Sequence, residues 1–548
     1  MAFVKENSVA FCTWQKNKFY FQAKKHMINT KEKKGLAMER FKKFILNGLL
    51  ITGVSLLMRS VSVSFNVYIS NRIGAVAMGV FTLISTVYGF AITVATSGIG
   101  FATTRIVAES GNGDTELYKN PQVRCIVKKC VTYALCFSLG SALILFLFSP
   151  IIGIRLLGDE RTVMPLRVLA FTLPPIALAS VLNGYFTAVR RVYKNAIVQV
   201  VGQMVRIYGC VAFLALFGAH DVESGCMAIV IGGALSEGIS FLLQYGFYLF
   251  EKNKDRTSSI QACERKKIEK KVLHTALPMA FSAYVRSGLI TIEHMLIPIG
   301  LKRSGSSRDQ ALASYGIVQS MVFPLVLFPS ALSGSFAGLL IPEIAESYAC
   351  QNYERIQRII GKVFQAVLIF SIGTAGIIMC FSYDLSRIIY PGVDAGKYIL
   401  MIAPLVPVMY LDTSVDAILK GMGEQVYCMG INIVDALLSV VLVWILIPNC
   451  GITGYILTVY FTEIVNATLS ITRLFSVSKV KTHVVAWVLK PLLCIVIATS
   501  VMRLILSRWV GTIDSAWSLT IQIMITACLY FFCLLVTGAL KLKKESRQ

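Results

Sequence analysis

An arginine inside an apolar run is the most chemically pointed feature of this sequence. Arg59 lies within residues 43–69, the first of two long apolar segments in residues 43–110. A cation at mid-membrane costs roughly 2.5–3.5 kcal/mol on insertion scales, so one that is kept should face a polar cavity or a partner. Arg286 repeats the placement in the second half of the chain. A guanidinium presents a planar fork of N–H donors that matches phosphate oxygens, and two or three of them in one cavity suit a diphosphate. Arg59, Arg286, Arg105 at the end of the second segment, and the polar Asn66 form the candidate anion-binding set. Plainer readings stand beside this one. Arg59 can be a structural partner of a carboxylate or can snorkel, and Arg105 can be a cytoplasmic end-anchor. Ser55, Ser60, Ser62 and Ser64 share the segment with Arg59, and such residues serve close helix packing as well as a wet surface.

A second polar set lies further on. Glu293 and His294 follow Arg286 by about two helical turns. They form either an internal ion pair with it or a proton- or cation-sensitive counter-charge. Asp412, Asp416, Asn432, Asp435 and Glu463 fall in the tenth to twelfth apolar segments. Asn432 and Asp435 share a helix face at i, i+3, and with Thr458 and Glu293 they are the candidates for a coupling ion, Na⁺ or H⁺. Buried structural hydrogen bonding is the alternative for them, as it is for Gln199, Gln203, Arg206 and Glu237. Enzyme motifs are missing: no nucleophile elbow, no H-E-x-x-H, no Walker loop and no paired acidic motif. The 14 cysteines are scattered, many of them in apolar runs, without metal or redox spacing. No cofactor or metal is expected, and no enzyme.

The elements that must position these residues are membrane helices. Of 548 residues 55% are hydrophobic and 15% charged, the mean hydropathy is +0.68, and the apolar runs have the length that spans a bilayer. The formal charge of +24 would suggest nucleic acid in a soluble protein. Here the basic residues cluster between spans, as the positive-inside rule requires of cytoplasmic loops, so no nucleic-acid partner is expected. Apolar windows predict about fourteen spans. Charge counting places both termini in the cytoplasm. The predicted organisation is a basic N-terminal segment 1–42, a lobe of six helices over 43–250, a basic cytoplasmic loop 251–271, a second six-helix lobe over 272–475, and two more helices with a cytoplasmic tail over 476–548. An internal repeat supports two lobes. Met58-Arg59-Ser60 matches Val285-Arg286-Ser287, Ile73-Gly74 matches Ile299-Gly300, Gly79 matches Gly316, and residues 106–110 match 343–347. An even number of spans per copy makes the copies parallel about an axis along the membrane normal.

Three long stretches carry a family resemblance: LPPIALASVLNGYFTAVRRVYKNAIVQVVGQMVRI (173–207), EHMLIPIGLKRSGSSRDQALASYGIVQSMVFPLVLFPSALSGSFAGLLIPEIAES (293–347) and LKGMGEQVYCMGINIVDALLSVVLVWILIPNCGITGY (419–455). They resemble the stage V sporulation protein B group, in the polysaccharide transporter branch of the multidrug/oligosaccharidyl-lipid/polysaccharide (MOP) flippase superfamily. The resemblance covers about residues 38–540. It departs at Asn183, where an arginine is usual, and at Gly202, where a glutamate is usual.

The resemblance implies a monomeric, all-α, multi-pass transporter of the bacterial cytoplasmic membrane, with about fourteen transmembrane helices in two parallel six-helix lobes around a central cavity. It implies flipping of a lipid-linked oligosaccharide between leaflets, with Arg59 lining the cavity and Arg286 as its second-lobe match. The expected partners are that lipid-linked glycan and the surrounding membrane lipids. Two rivals are a cation-coupled multidrug antiporter of the same superfamily and a polytopic glycan-modifying enzyme. The first favours carboxylates in the first lobe, yet no carboxylate precedes Glu109 in the first two spans. The second needs a large external loop bearing acids or histidines, and the external turns are short.

Overall fold

The computed structural model describes residues 57–110, 121–217, 221–252, 262–333, 351–478, 485–509 and 515–538, with a few further positions at 53 and within 343–348. The expected segment 1–42, the start of the first span, the middle of the 251–271 loop, Pro342 and the C-terminal tail lie outside the described residues. The described residues from Met58 onward belong to one compact unit, the helical bundle.

The described residues are almost wholly helical and include no strand. In a bilayer this follows from the backbone, since a helix satisfies every N–H and C=O within its own segment. Among the described residues ten helices are long and apolar enough to cross, or eleven if the pair Glu160–Ala170 and Leu173–Ala188, bent by 46°, is one span. Fourteen remains the expectation from sequence. Leu57–Glu109 enters the count once, at 53 residues. Straight, it would be about 80 Å long against a hydrocarbon core of about 30 Å. It is not straight. Ser320 accepts a hydrogen bond from Asn66 at its carbonyl and meets Thr82 at its hydroxyl, whereas a straight helix would hold residues 66 and 82 about 24 Å apart. The chain therefore folds back between them, where Gly74 has φ +80°. A side chain there would be strained, and glycine is not.

We label the helices α1 (57–96, two arms folded at Gly74), α2 (Ile99–Glu109), α3 (Pro121–Pro150), α4 (Val163–Ala170), α5 (Leu173–Ala188), α6 (Val192–Phe217), α7 (Val222–Lys252) and α8 (Ala262–Arg303). They continue as α9 (Arg308–Leu327), α10 (Tyr353–Cys380), α11 (Gly396–Gly421), α12 (Gln425–Cys450), α13 (Ile452–Ser478), α14 (Lys490–Trp509) and α15 (Ala516–Val536). Small residues let backbones approach. Gly184 of α5 faces the Gly100 carbonyl of α2, and Gly209 and Gly232 bring α6 and α7 together.

Two further contacts join the halves of the sequence. Gly79 in the second arm of α1 and Gly316 of α9 lie against each other, so that a methyl on either would overlap the other helix's backbone. The second contact is α8, 42 residues long with Pro278 and Pro298 inside it. Its early part packs on α2, where Gly98 lies against the Ala276 carbonyl, and Val272 and Ala276 share a core with Ile99, Val127 and Val181. Ion pairs fasten the same end, Lys129–Glu269 at 2.5 Å and Lys271–Glu109 at 2.9 Å. Its late part packs on α12, with Gly300 against Ile447 and Pro448.

At that late end a charged cluster bridges the halves. Asp159, in the turn after α3, pairs with Arg161 at 2.8 Å and with Arg308 of α9 at 3.0 Å, and Arg161 also pairs with Asp309 at 3.1 Å. Burial alone would raise the pKa of the Asp159 carboxyl. The hydrogen bonds from Arg161 and the charges of Arg161 and Arg308 outweigh it, and the net shift is downward from the ordinary 3.8. Asp309, Glu160, Glu223 and Cys226 of α7, and Lys302 beside Gly158 are the other titratable groups around it. A lowered folded-state pKa stabilises fully above the ordinary value and loses that contribution as pH falls through the lowered one. The melting midpoint in detergent should therefore be insensitive to this group from pH 8 to 5 and fall only below about pH 4. Asp159→Asn should lower the neutral plateau and remove that part of the acid limb.

Candidate functional site

The site is organised by a broken helix. α9 opens on a capping box, with the Ser307 hydroxyl accepting from the Gln310 N–H and the Gln310 side chain accepting from the Ser307 N–H. It then widens into a π-type turn at Ile317–Val322, and prolines follow at 324 and 329. A proline has no N–H for the carbonyl four residues back, so Pro324 leaves Ser320 O without its helical donor. A carbonyl left bare in a membrane costs several kcal/mol, so it must find a donor elsewhere.

The donors are side chains from other parts of the chain. Asn66 Nδ2 of α1 donates to Ser320 O at 2.6 Å, and Tyr390 Oη donates to Met321 O at 3.0 Å. Tyr410 Oη of α11 donates to Val326 O at 2.8 Å. Arg59 Nη2 donates to Leu327 O at 3.2 Å and to Ser330 Oγ at 3.4 Å. Tyr390 and Tyr410 are both wholly buried. Tyr410→Phe keeps the shape and removes only the donor, so it should lower stability by about 1–3 kcal/mol, read as a lower melting midpoint in detergent.

Two of the candidate residues, Arg59 and Asn66, thus lie together on the seam between α1 and α9. Arg59 is exposed, and no carboxylate pairs with it among the described residues. Arg286 of α8 is also exposed. No ion pair to it occurs among the described residues, and Asp435 of α12 is the carboxylate within its electrostatic reach. Arg105 lies apart from both and pairs with Glu109 at 2.9 Å, beside Lys271. That is the geometry of an end-anchor.

The second polar set gathers around α8, α11, α12 and α13. Glu293 lies near Ser439 and within electrostatic reach of Asp435. Its neighbour His294 meets the Tyr315 hydroxyl at Nδ1, 2.8 Å away. Asp412 accepts from Asn466 at 3.0 Å and lies near Asp416 and Asp435, and Glu463 lies near Asp412 and Asp435. Lys420 neutralises Asp416 at 2.9 Å. Asn432 spends its amide on Cys428 O of its own helix, and Thr458, fully buried, bonds back to Gly454 O. Among the described residues no three of His, Cys, Asp and Glu are grouped to hold a metal. The tyrosines that cap α9 were not among the candidates. Prolines at 324 and 329 mark the stretch as irregular helix. The carbonyls they leave are those of Ser320 and Leu325, however, so the tyrosine caps on Met321 O and Val326 O were not readable from them.

Comparison with known proteins bears on this arrangement. A family described as polysaccharide biosynthesis protein matches residues 44–299, and the MatE family matches residues 304–445. Stage V sporulation protein B of Bacillus subtilis (strain 168) is 23% identical over 421 residues, covering 76% of this chain and 80% of that protein. The chain is thus similar to stage V sporulation protein B over most of the length of both. The lipid II flippase MurJ of the same organism is 23% identical over 404 residues, 68% of this chain and 72% of that one. In fold, the chain matches a solved lipid II flippase MurJ in an inward closed conformation, with TM-score 0.65 and 14% identity over 89% of this chain and 98% of that one. It also matches an inward-facing multidrug resistance MATE family transporter of the superfamily, with TM-score 0.58 and 15% identity over 79% and 100%. Two of these proteins are transporters by description, the lipid II flippase MurJ and the MATE family transporter.

Proposed function

We propose that this protein is a flippase that moves a polyprenyl-diphosphate-linked oligosaccharide, a lipid II-like or polysaccharide precursor, across the bacterial cytoplasmic membrane by alternating access. The observation that carries this reading is a pair of exposed arginines, Arg59 and Arg286, inside membrane helices and without an ion pair among the described residues. Such charges are expensive in lipid and are kept where an anion comes to meet them. In this reading Arg59 exchanges the Leu327 carbonyl for diphosphate oxygens, and Asn66 supplies a neutral donor beside it. The glycan crosses between two six-helix lobes while the polyprenyl chain stays in lipid, both termini are cytoplasmic, and Na⁺ or H⁺ drives the cycle through Glu293 and Asp435. Depleting the protein and measuring lipid-linked intermediates by leaflet tests this. Accumulation of one such intermediate in the inner leaflet is expected, and an unchanged distribution overturns the proposal.

A cation-coupled drug antiporter is the second reading; it would have to use carboxylates of the second lobe, since the first two spans hold none before Glu109. Four carboxylates, Asp412, Asp416, Asp435 and Glu463, lie within the stretch from α11 to α13. Efflux of a cationic dye from proteoliposomes, with no movement of a lipid-linked sugar, would select it.

A further inference from the structure

The cluster of Asp159, Arg161, Arg308 and Asp309 was not among the sequence candidates and takes no part in the anion seam. It lies at the end of the bundle opposite the start of α8, which is the outward end in the orientation proposed above. Its composition is reciprocal. The residues before α4 contribute one acid and one base, the start of α9 contributes one of each, and both cross-pairs are formed, at 3.0 and 3.1 Å. Exposed ion pairs contribute little, but Asp159 is only 3% exposed at its side chain, and a charge so placed is strongly destabilising once its partner leaves. Directly below, Gly79 and Gly316 bring α1 and α9 into backbone contact, and the Thr82 and Ser320 hydroxyls meet one turn deeper. Beside the cluster, Arg161 forms one wall of a cavity of about 580 Å³ with Asp221, Glu223 and Ser224. There it can be hydrated when its pairs separate.

We infer that these four residues are an ionic gate that holds the outward end shut, and that the two cross-pairs must part for the transported molecule to leave. The inference rests on the transport reading for its purpose and on the ion geometry for its existence. Its strength comes from pairing across the halves, so reversing the charges of one half alone should open the end, and reversing both should close it again.

The test uses the full chain with Ser330→Cys as a reporter next to Arg59, labelled from outside intact cells with a membrane-impermeant maleimide. The labelled peptide is quantified by mass spectrometry, because exposed Cys450 and other native cysteines also react. Arg308→Asp with Asp309→Arg sets like charges against Asp159 and Arg161. It should raise the labelling rate at position 330 by about tenfold or more. Adding Asp159→Arg with Arg161→Asp rebuilds every pair with inverted sign and should return the rate to that of the unmutated gate. An unchanged rate in the half-reversed protein, or no return in the fully reversed one, overturns the gate. Labelling needs no substrate. Transport of a lipid-linked sugar is measured separately on the unmutated protein, and its absence there overturns the transport reading while the labelling result stands.

Discussion

Arg59→Glu is expected to reduce transport by two orders of magnitude or more at normal membrane abundance. Replacing attraction by repulsion at a charge pair shielded from water is a change of about 3 kcal/mol or more. Arg59 has two tasks in the structure, capping Leu327 O and presenting a cation, and other substitutions separate them. Arg59→Gln can still donate to the carbonyl but carries no charge. Arg59→Lys keeps the charge and loses the fork that suits two phosphate oxygens. The order Arg, Lys, Gln, Glu in complementation of a depleted strain is the signature of an anion site. If Gln works as well as Arg, the side chain is a helix cap and nothing more.

The second large effect concerns stability. Gly79→Ala places a methyl group into the Leu312 carbonyl, and Gly316→Ala places one into the Ala75 carbonyl and the Gly79 backbone. Neither neighbour is a side-chain end that can swing away. The helices must separate, at a cost near the upper end of the 1–3 kcal/mol typical of overpacking, about 3 kcal/mol for each. Gly89 is the internal control. It lies in the same arm of α1 with open space around it, so Gly89→Ala should stabilise by up to about 1 kcal/mol through helix propensity. Thermal midpoints of the three variants in detergent should fall on opposite sides of the parent. A fall of equal size in all three would mean that α1 tolerates no substitution, and the contact would have no special weight.

Much of the fold was legible because hydrophobic length and the repeat are read directly from the residues. The repeat pairs Gly79 with Gly316, and the structure brings the two into contact, as happens to equivalent residues near an axis of two-fold pseudosymmetry. The same offset, 316 − 79 = 237, carries Thr93 to Ser330, since 330 − 93 = 237. Ser330 meets Arg59, and Thr93 meets Ser287, the neighbour of Arg286, at 3.3 Å. The candidate site was legible only in part. An arginine in an apolar run announces itself, but that Arg59 bonds a carbonyl of α9 depends on which helix lies opposite, whereas Arg105 pairs with Glu109 four residues on in its own helix. The ionic cluster was invisible for a related reason. Asp159 and Arg308 are ordinary loop residues until the fold brings together positions that the sequence separates by 149.

The length of α8 has a mechanical consequence. One end is held to α2 and α3 near Ala276 and the other to α12 near Gly300, a stretch of about 36 Å of helix. Any motion of those two anchorages relative to each other must be absorbed as curvature in the rod between them. Pro278 and Pro298 stand close to the two ends of the stretch, and each removes the N–H that would have closed the turn onto His274 O and His294 O. Bending stiffness is thus lowest beside each anchorage and highest between them. The helix is built as a flexure with two compliant joints, one of them at the residue that holds Tyr315.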